Sequence, residues 1–172
     1  MLYLRRISED AWVNKPLHDS DSVSDLATQN HELSVWHVDD NLNNFEDSVL
    51  ALALTKDMAC GIFVAVLNLD KIKNAYNWDI KVTDQPGDTA YVALKDRHKN
   101  FEISHINEMG NLAEHIHNLI LAEDSIRYVD EQRLTQLIAE KIDSKELAEV
   151  DLNKKGKWKK ALKAYRLASN GQ

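Results

Sequence analysis

The sequence predicts an α+β fold: a small mixed β-sheet of about five strands with helices packed on it, followed by a helical C-terminal extension. Three observations carry this. GIFVAVLNL at 61–69 is apolar at consecutive positions, as a central strand covered on both faces must be. WDIKVT at 78–83 alternates, with Trp78, Ile80 and Val82 on one face and Asp79, Lys81 and Thr83 on the other. Met109, Leu112, Ala113, Ile116, Leu119 and Ile120 recur at helical spacing and form one apolar stripe.

The remaining elements follow in chain order. LYLRRI at 2–7 reads as a strand, and DSDSVSDLATQ at 19–29 as a short helix with Ser and Asp caps. LSVWHV at 33–38 is β-branched and aromatic, with Ser34 and His37 interspersed, and reads as a strand. A helix is predicted over 45–56. Asn44 stands as its cap, Glu46 and Asp47 lie in the first turn where the helix dipole favours anions, and Phe45, Val49, Leu52 and Ala53 share a face. DQPG at 84–87 supplies turn residues, so DTAYVALK at 88–95 is expected to return as the partner strand of a hairpin. DRHKN then becomes a strand-to-helix turn, Ser104 the cap of a helix over 107–121, and His105 a residue of its first turn. DEQRLTQLIAEKI at 130–142 repeats the helical pattern through Leu134, Leu137, Ile138 and Ile142, and further helix is expected from Ser144 onward. A shift in composition near residue 125 divides an α+β core, 1–125, from a helical extension, 126–172.

At 172 residues, with 44% hydrophobic and 28% charged side chains, the chain has the composition of a globular protein and is long enough to bury roughly 70% of its unfolded surface. The single cysteine, Cys60, excludes an intramolecular disulfide and suits a reducing cytosol. The longest apolar run is too short to span a bilayer, and MLYLRRISED lacks the apolar stretch of a signal peptide. Charge is uneven. Residues 152–172 hold seven of the 21 basic residues and none of the 28 acids, leaving 14 basic and 28 acidic residues and a formal −14 on the body.

Candidate chemistry is sparse. DRHKNFEISH at 96–105 collects Asp96, His98 and His105, residue types that ligate Zn²⁺ or Mn²⁺, or that supply a histidine base oriented by Asp96. A seven-residue gap across a turn fixes no geometry, and a solvated turn explains the stretch equally well. In EHIH, at 114–117, the two histidines project from a helix on opposite sides of Ile116 and cannot chelate one ion, so they read as surface flanks. Asp79 and Lys81 form an acid-x-Lys pair of the kind metal-dependent nucleases use, the acid holding Mg²⁺ and the lysine positioning water, with Asp70 as a second carboxylate. AYVALK, at 90–95 of the third strand, where such a pair would be expected, has no acid. Asp39 and Asp40 close a strand and equally open a polar loop. Cys60 has no flanking signature of a nucleophile, and five dispersed glycines exclude a glycine-rich phosphate loop. No cofactor is expected.

The basic tail is the sharpest binding candidate. Trp158, Ala161, Leu162 and Tyr165 share a helical face, surrounded by Lys157, Lys159, Lys160 and Arg166. This face can dock on the acidic body, seat in a partner's groove, or contact nucleic acid through residues 152–172. The leading expectation is a non-enzymatic cytosolic interaction protein of bacterial type: an accessory subunit, inhibitor or adaptor that binds another protein through its acidic body or basic helix. The alternatives are a small metal-dependent hydrolase, with a nuclease as the sharpest form, and a nucleic-acid-binding module.

Overall fold

A computed structural model of the chain describes residues 1–17, 19–26, 30–122 and 125–169. The fold is α+β. Its elements run β1 (Leu2–Ile7), α1 (Glu9–Trp12), α2 (Ser20–Asp25), β2 (Glu32–Val38), α3 (Phe45–Ala53), β3 (Ile62–Asn68), α4 (Leu69–Tyr76), β4 (Lys81–Asp84), a 3₁₀ turn (Val92–Arg97), β5 (His98–Glu102), α5 (Ile106–Leu121), β6 (Ile126–Val129), α6 (Glu131–Asp143), a second 3₁₀ turn (Glu149–Lys154) and α7 (Gly156–Ser169).

The strands form one six-stranded sheet in the order β4-β5-β2-β1-β3-β6. Each neighbouring pair is antiparallel, where a mixed sheet of about five strands was expected. The reason lies in one connection. From β2 the chain crosses through α3 and enters β3 on the far side of β1, so the two like-directed strands flank β1 instead of pairing.

Helices cover both faces. Leu4, Trp36, Val38, Val64 and Val66 line one face and cluster with the buried residues of α3, α6 and α7. Tyr3, Ile7, Leu33, Val35, Leu67 and Phe101 line the other and cluster with Leu112, Ala113 and Ile116 of α5. In β3, Ile62, Val64, Ala65, Val66 and Leu67 are all buried, as the continuous apolar run predicts.

Several elements depart from the sequence reading. Residues 88–95 are not a strand: β4 pairs instead with β5, across a connection that holds the first 3₁₀ turn. The apolar groups of that segment are used elsewhere. Ala90 and Tyr91 are buried in the α3 cluster, and the Thr89 hydroxyl donates to the Ala51 carbonyl at 2.7 Å. DRHKN therefore ends the 3₁₀ turn and opens a strand. Helix α3 stops at Ala53 rather than 56, and the Asn44 side chain accepts from the Asp39 amide at 2.8 Å instead of capping the helix. His105, not Ser104, is the cap residue of α5; Glu108 accepts from the amides of both. Helix α4 was not anticipated; the Asn68 side chain caps it by accepting from Asp70 and Lys71. The stretch from 126 opens with an edge strand, then adds α6 and α7 to the core of the first face. The end of the helix expected over 19–29 falls partly outside the described residues.

Candidate functional site

The β1–β2 ladder stops at Leu4 opposite Trp36, yet both strands continue. β1 stays on β3 as far as Ile7, and β2 stays on β5 back to Glu32. The sheet therefore opens between two strands that remain paired to their outer neighbours. Arg5 fills the back of this opening. Its Nη1 donates to the Ser34 carbonyl of β2 at 3.1 Å, where the splayed strands make no ladder bond, and its Nη2 to the Asp25 carbonyl at the end of α2 at 2.8 Å. Burial pulls the Arg5 guanidinium below its ordinary pKa, partly offset by the Asp25 carboxylate.

In front of Arg5 lies a cavity of about 830 Å³, well within the range of small-molecule sites. Arg6, Ser34, Trp36 and His98 line its sheet side, with Cys60 and Tyr128 among the residues of its far wall. Alternation along β1 and β2 sets this up. Arg6 follows Leu4 by two residues and Ser34 precedes Trp36 by two, so both share the face of Leu4 and Trp36 and stand across the opening from one another.

His98 faces Trp36 in the β2–β5 ladder, edge-on to the indole at 5.4 Å between ring centroids. Its Nδ1 lies 2.7 Å from the Gln85 carbonyl and its Nε2 2.6 Å from the Ser34 hydroxyl. A carbonyl only accepts, so Nδ1 carries the hydrogen; in the neutral ring Nε2 is then bare and accepts from Ser34. Gly87 makes the approach of the Gln85 segment feasible. A β-carbon there would come within 2.8 Å of the Trp36 ring and 2.9 Å of the His98 Cβ. The Gln85 side chain is held as well, accepting from Asn100.

The Trp36 indole N–H, fully buried behind the cavity wall, has no acceptor among the described residues. Arg6 and Lys56 have no carboxylate partner within ion-pair distance among them. Asp25, by contrast, is occupied: its Oδ2 accepts from the Ser8 amide at 3.0 Å and the Trp12 indole at 2.7 Å.

Of the residues singled out by sequence, only His98 and Cys60 line this cavity. Asp96 does not orient His98; that place belongs to Gln85, while the Asp96 carbonyl accepts from Lys99. His105 caps α5. Asp70 pairs with the N-terminal ammonium at 3.2 Å, Asp79 with Lys73 at 2.8 Å, and Lys81 with Glu102 at 2.6 Å. Among the described residues no group of three or more His, Cys, Asp or Glu side chains is placed to hold a metal ion. Asp39 pairs with Arg97 at 2.9 Å. His115 and His117 are both buried, against the expectation of surface flanks. Ser34 is the residue that sequence reasoning missed. It stands 64 positions from His98, in a strand whose alternation explains it without chemistry.

The tail helix uses its apolar face internally. Trp158 and Leu162 are buried in the core cluster, and Tyr165 packs against it half-buried, so these three do not form an open groove-binding surface. The Trp158 indole donates to the Lys56 carbonyl at 3.1 Å, and Arg166 bridges Asp143 and Glu149. Lys157, Lys159 and Lys160 remain exposed. Among the described residues, no helix is long and apolar enough to cross a membrane. Comparison of the chain with protein-family models, with curated proteins and with solved structures returned no match.

Proposed function

We propose that the protein binds a small anion-bearing organic molecule in the cleft between β1 and β2. One observation carries the reading: the Arg6 guanidinium, half-buried and without a carboxylate partner within ion-pair distance among the described residues, lines one cavity of ligand size. A guanidinium at a concave wall attracts an anion, which supplies acceptors for its donors. The exposed Tyr128 ring suits an organic body attached to that anion. The chain's free thiol, Cys60, fits a reducing compartment such as the cytosol.

A separate observation favours a second reading, an accessory interaction protein. Lys157, Lys160 and Lys163 follow one another at three-residue spacing on α7, all exposed and without a carboxylate partner among the described residues. Such a stripe suits an acidic partner surface.

Titration calorimetry tests both readings. Inorganic phosphate, succinate and adenosine monophosphate are titrated into the intact protein, with poly-glutamate as a further arm. Binding of at least one small anion, weakened about tenfold or more by Arg6→Ala, is the expected result, since a hydrogen bond to a charged group is worth about 1.5–3 kcal/mol. Binding of poly-glutamate alone, abolished by replacing the three lysines with glutamine, would favour the interaction reading. Small-anion binding that ignores Arg6→Ala would overturn the cleft as the site.

A further inference from the structure

We propose that Ser34 and His98 form a nucleophile–base pair and that the cleft hydrolyses small acyl esters, so that its anionic ligand is the carboxylate product. This rests on the ligand-binding reading of the same cleft and goes beyond it by naming a reaction. The geometry has the parts that serine-based acyl transfer needs. The nucleophile and base are 2.6 Å apart, the base is oriented by an acceptor 2.7 Å from its other nitrogen, and a cation faces them across the cavity. Gln85 takes the place that a carboxylate fills in the familiar triads: its carbonyl fixes the tautomer that leaves Nε2 bare. The ring is further held by the Trp36 edge and by the closeness of Gly87 to its Cβ.

The reaction balances with water as the sole co-reactant. Ser34 Oγ attacks the ester carbonyl carbon as its proton passes to His98 Nε2. The negative charge that develops on the carbonyl oxygen faces Arg6, which shares the sheet face of Ser34 across the opening. The tetrahedral species collapses, the bond to the alcohol oxygen breaks, and His98 returns its proton to that oxygen. Water then attacks the acyl-serine, losing a proton to His98. The bond to Oγ breaks, Ser34 is reprotonated, and the carboxylic acid leaves. No electrons are gained or lost overall.

The test uses p-nitrophenyl acetate with the intact protein, followed by mass spectrometry of its peptides. The expected result is release of p-nitrophenolate with an acetyl group on the Ser34 peptide. Ser34→Ala removes the adduct, and His98→Gln slows its formation about 100-fold or more, the lower range of general-base effects. An adduct on Cys60 or a lysine instead of Ser34, no release of p-nitrophenolate beyond that in buffer, or a release rate unchanged by His98→Gln overturns the proposal. If His98→Gln fails to fold, Ser34→Cys in a Cys60→Ser background decides. Iodoacetamide should alkylate the new thiol at neutral pH faster than a free cysteine, because the imidazole takes its proton; alkylation at the free rate overturns the pair. The two readings fail separately. Phosphate binding without acylation sinks the catalytic proposal and leaves the ligand site standing, whereas acylation of Ser34 without anion binding supports catalysis and removes the anion site.

Discussion

His37 and His115 are held by their surroundings in the neutral form. Burial is the first cause in both, pushing each imidazole below its usual pKa. At His37 the Arg97 guanidinium adds to the effect and Asp39 opposes it; at His115 the Lys71 ammonium adds to it. The consequence for stability follows from proton counting. As pH falls below about 6.5 the unfolded chain protonates these histidines before the folded chain does. Stability is therefore complete above that pH and falls as pH drops from about 6.5 towards the depressed folded values. Thermal melts from pH 7.5 to pH 5 should show a falling midpoint. The paired His37→Gln and His115→Gln substitutions should flatten that slope even where they lower the midpoint at neutral pH. The depressed carboxylates do not confuse this window. Glu46 is lowered chiefly by its hydrogen bond with Arg133 and Glu146 by that with Lys141, and both titrate below the usual carboxylate value. A midpoint flat across this range would mean that neither imidazole is held neutral by folding.

Among the elements, α7 separates two contributions that its sequence mixes. Its charged contacts are at the surface: Arg166 reaches Asp143 at 3.0 Å and Glu149 at 3.4 Å. Exposed pairs of this kind contribute little. Trp158 is fully buried, and its truncation leaves a large cavity beneath the helix. Trp158→Ala should therefore cost about 3–5 kcal/mol in urea denaturation, while Lys160→Gln should stay within about 0.5 kcal/mol. Comparable losses for both would show that charge, not burial, docks the helix. The apolar stripe of α7 was legible in the sequence because helical periodicity is local, and the same holds for α3, α5 and α6. Its docking site was not legible, since Lys56, whose carbonyl receives the Trp158 indole, lies 102 residues away. The 88–97 segment misleads for the same reason. Its alternation fits a strand, but Thr89 and Tyr91 find partners on α3 and at Glu146 that no local pattern announces. The cleft is harder still. His98 stood out for its neighbours in sequence, whereas its working partners, Ser34 and Gln85, come from another strand and a loop.

At the scale of the whole molecule, the change in charge along the chain does not coincide with a change in packing. Strand β6 pairs with β3, Val129 packs on the first-face cluster, and α6 and α7 contribute Leu134, Leu137, Ile138, Trp158 and Leu162 to the same cluster as Leu4 and Val64. Ion pairs tie the segments further: Arg133 reaches Glu46 of α3 at 2.6 Å, and Lys141 reaches Asp47 at 2.9 Å. The Tyr91 hydroxyl, pushed up to about 12 chiefly by burial, donates to Glu146 across the same seam. With one cluster shared between residues before and after 125, the chain should unfold as one cooperative unit. Tryptophan fluorescence reports Trp158 on α7 together with Trp12, Trp36 and Trp78 in the body, and far-ultraviolet circular dichroism reports the helices as a whole. Their urea transitions should coincide in midpoint and slope. The fluorescence of a Trp158→Phe variant, which then follows the body alone, should coincide with its own dichroism. Two separated transitions, the earlier one carried by Trp158, would instead establish 126–172 as a unit that melts independently. The acidic body would then keep its fold while the basic helix came free to bind elsewhere.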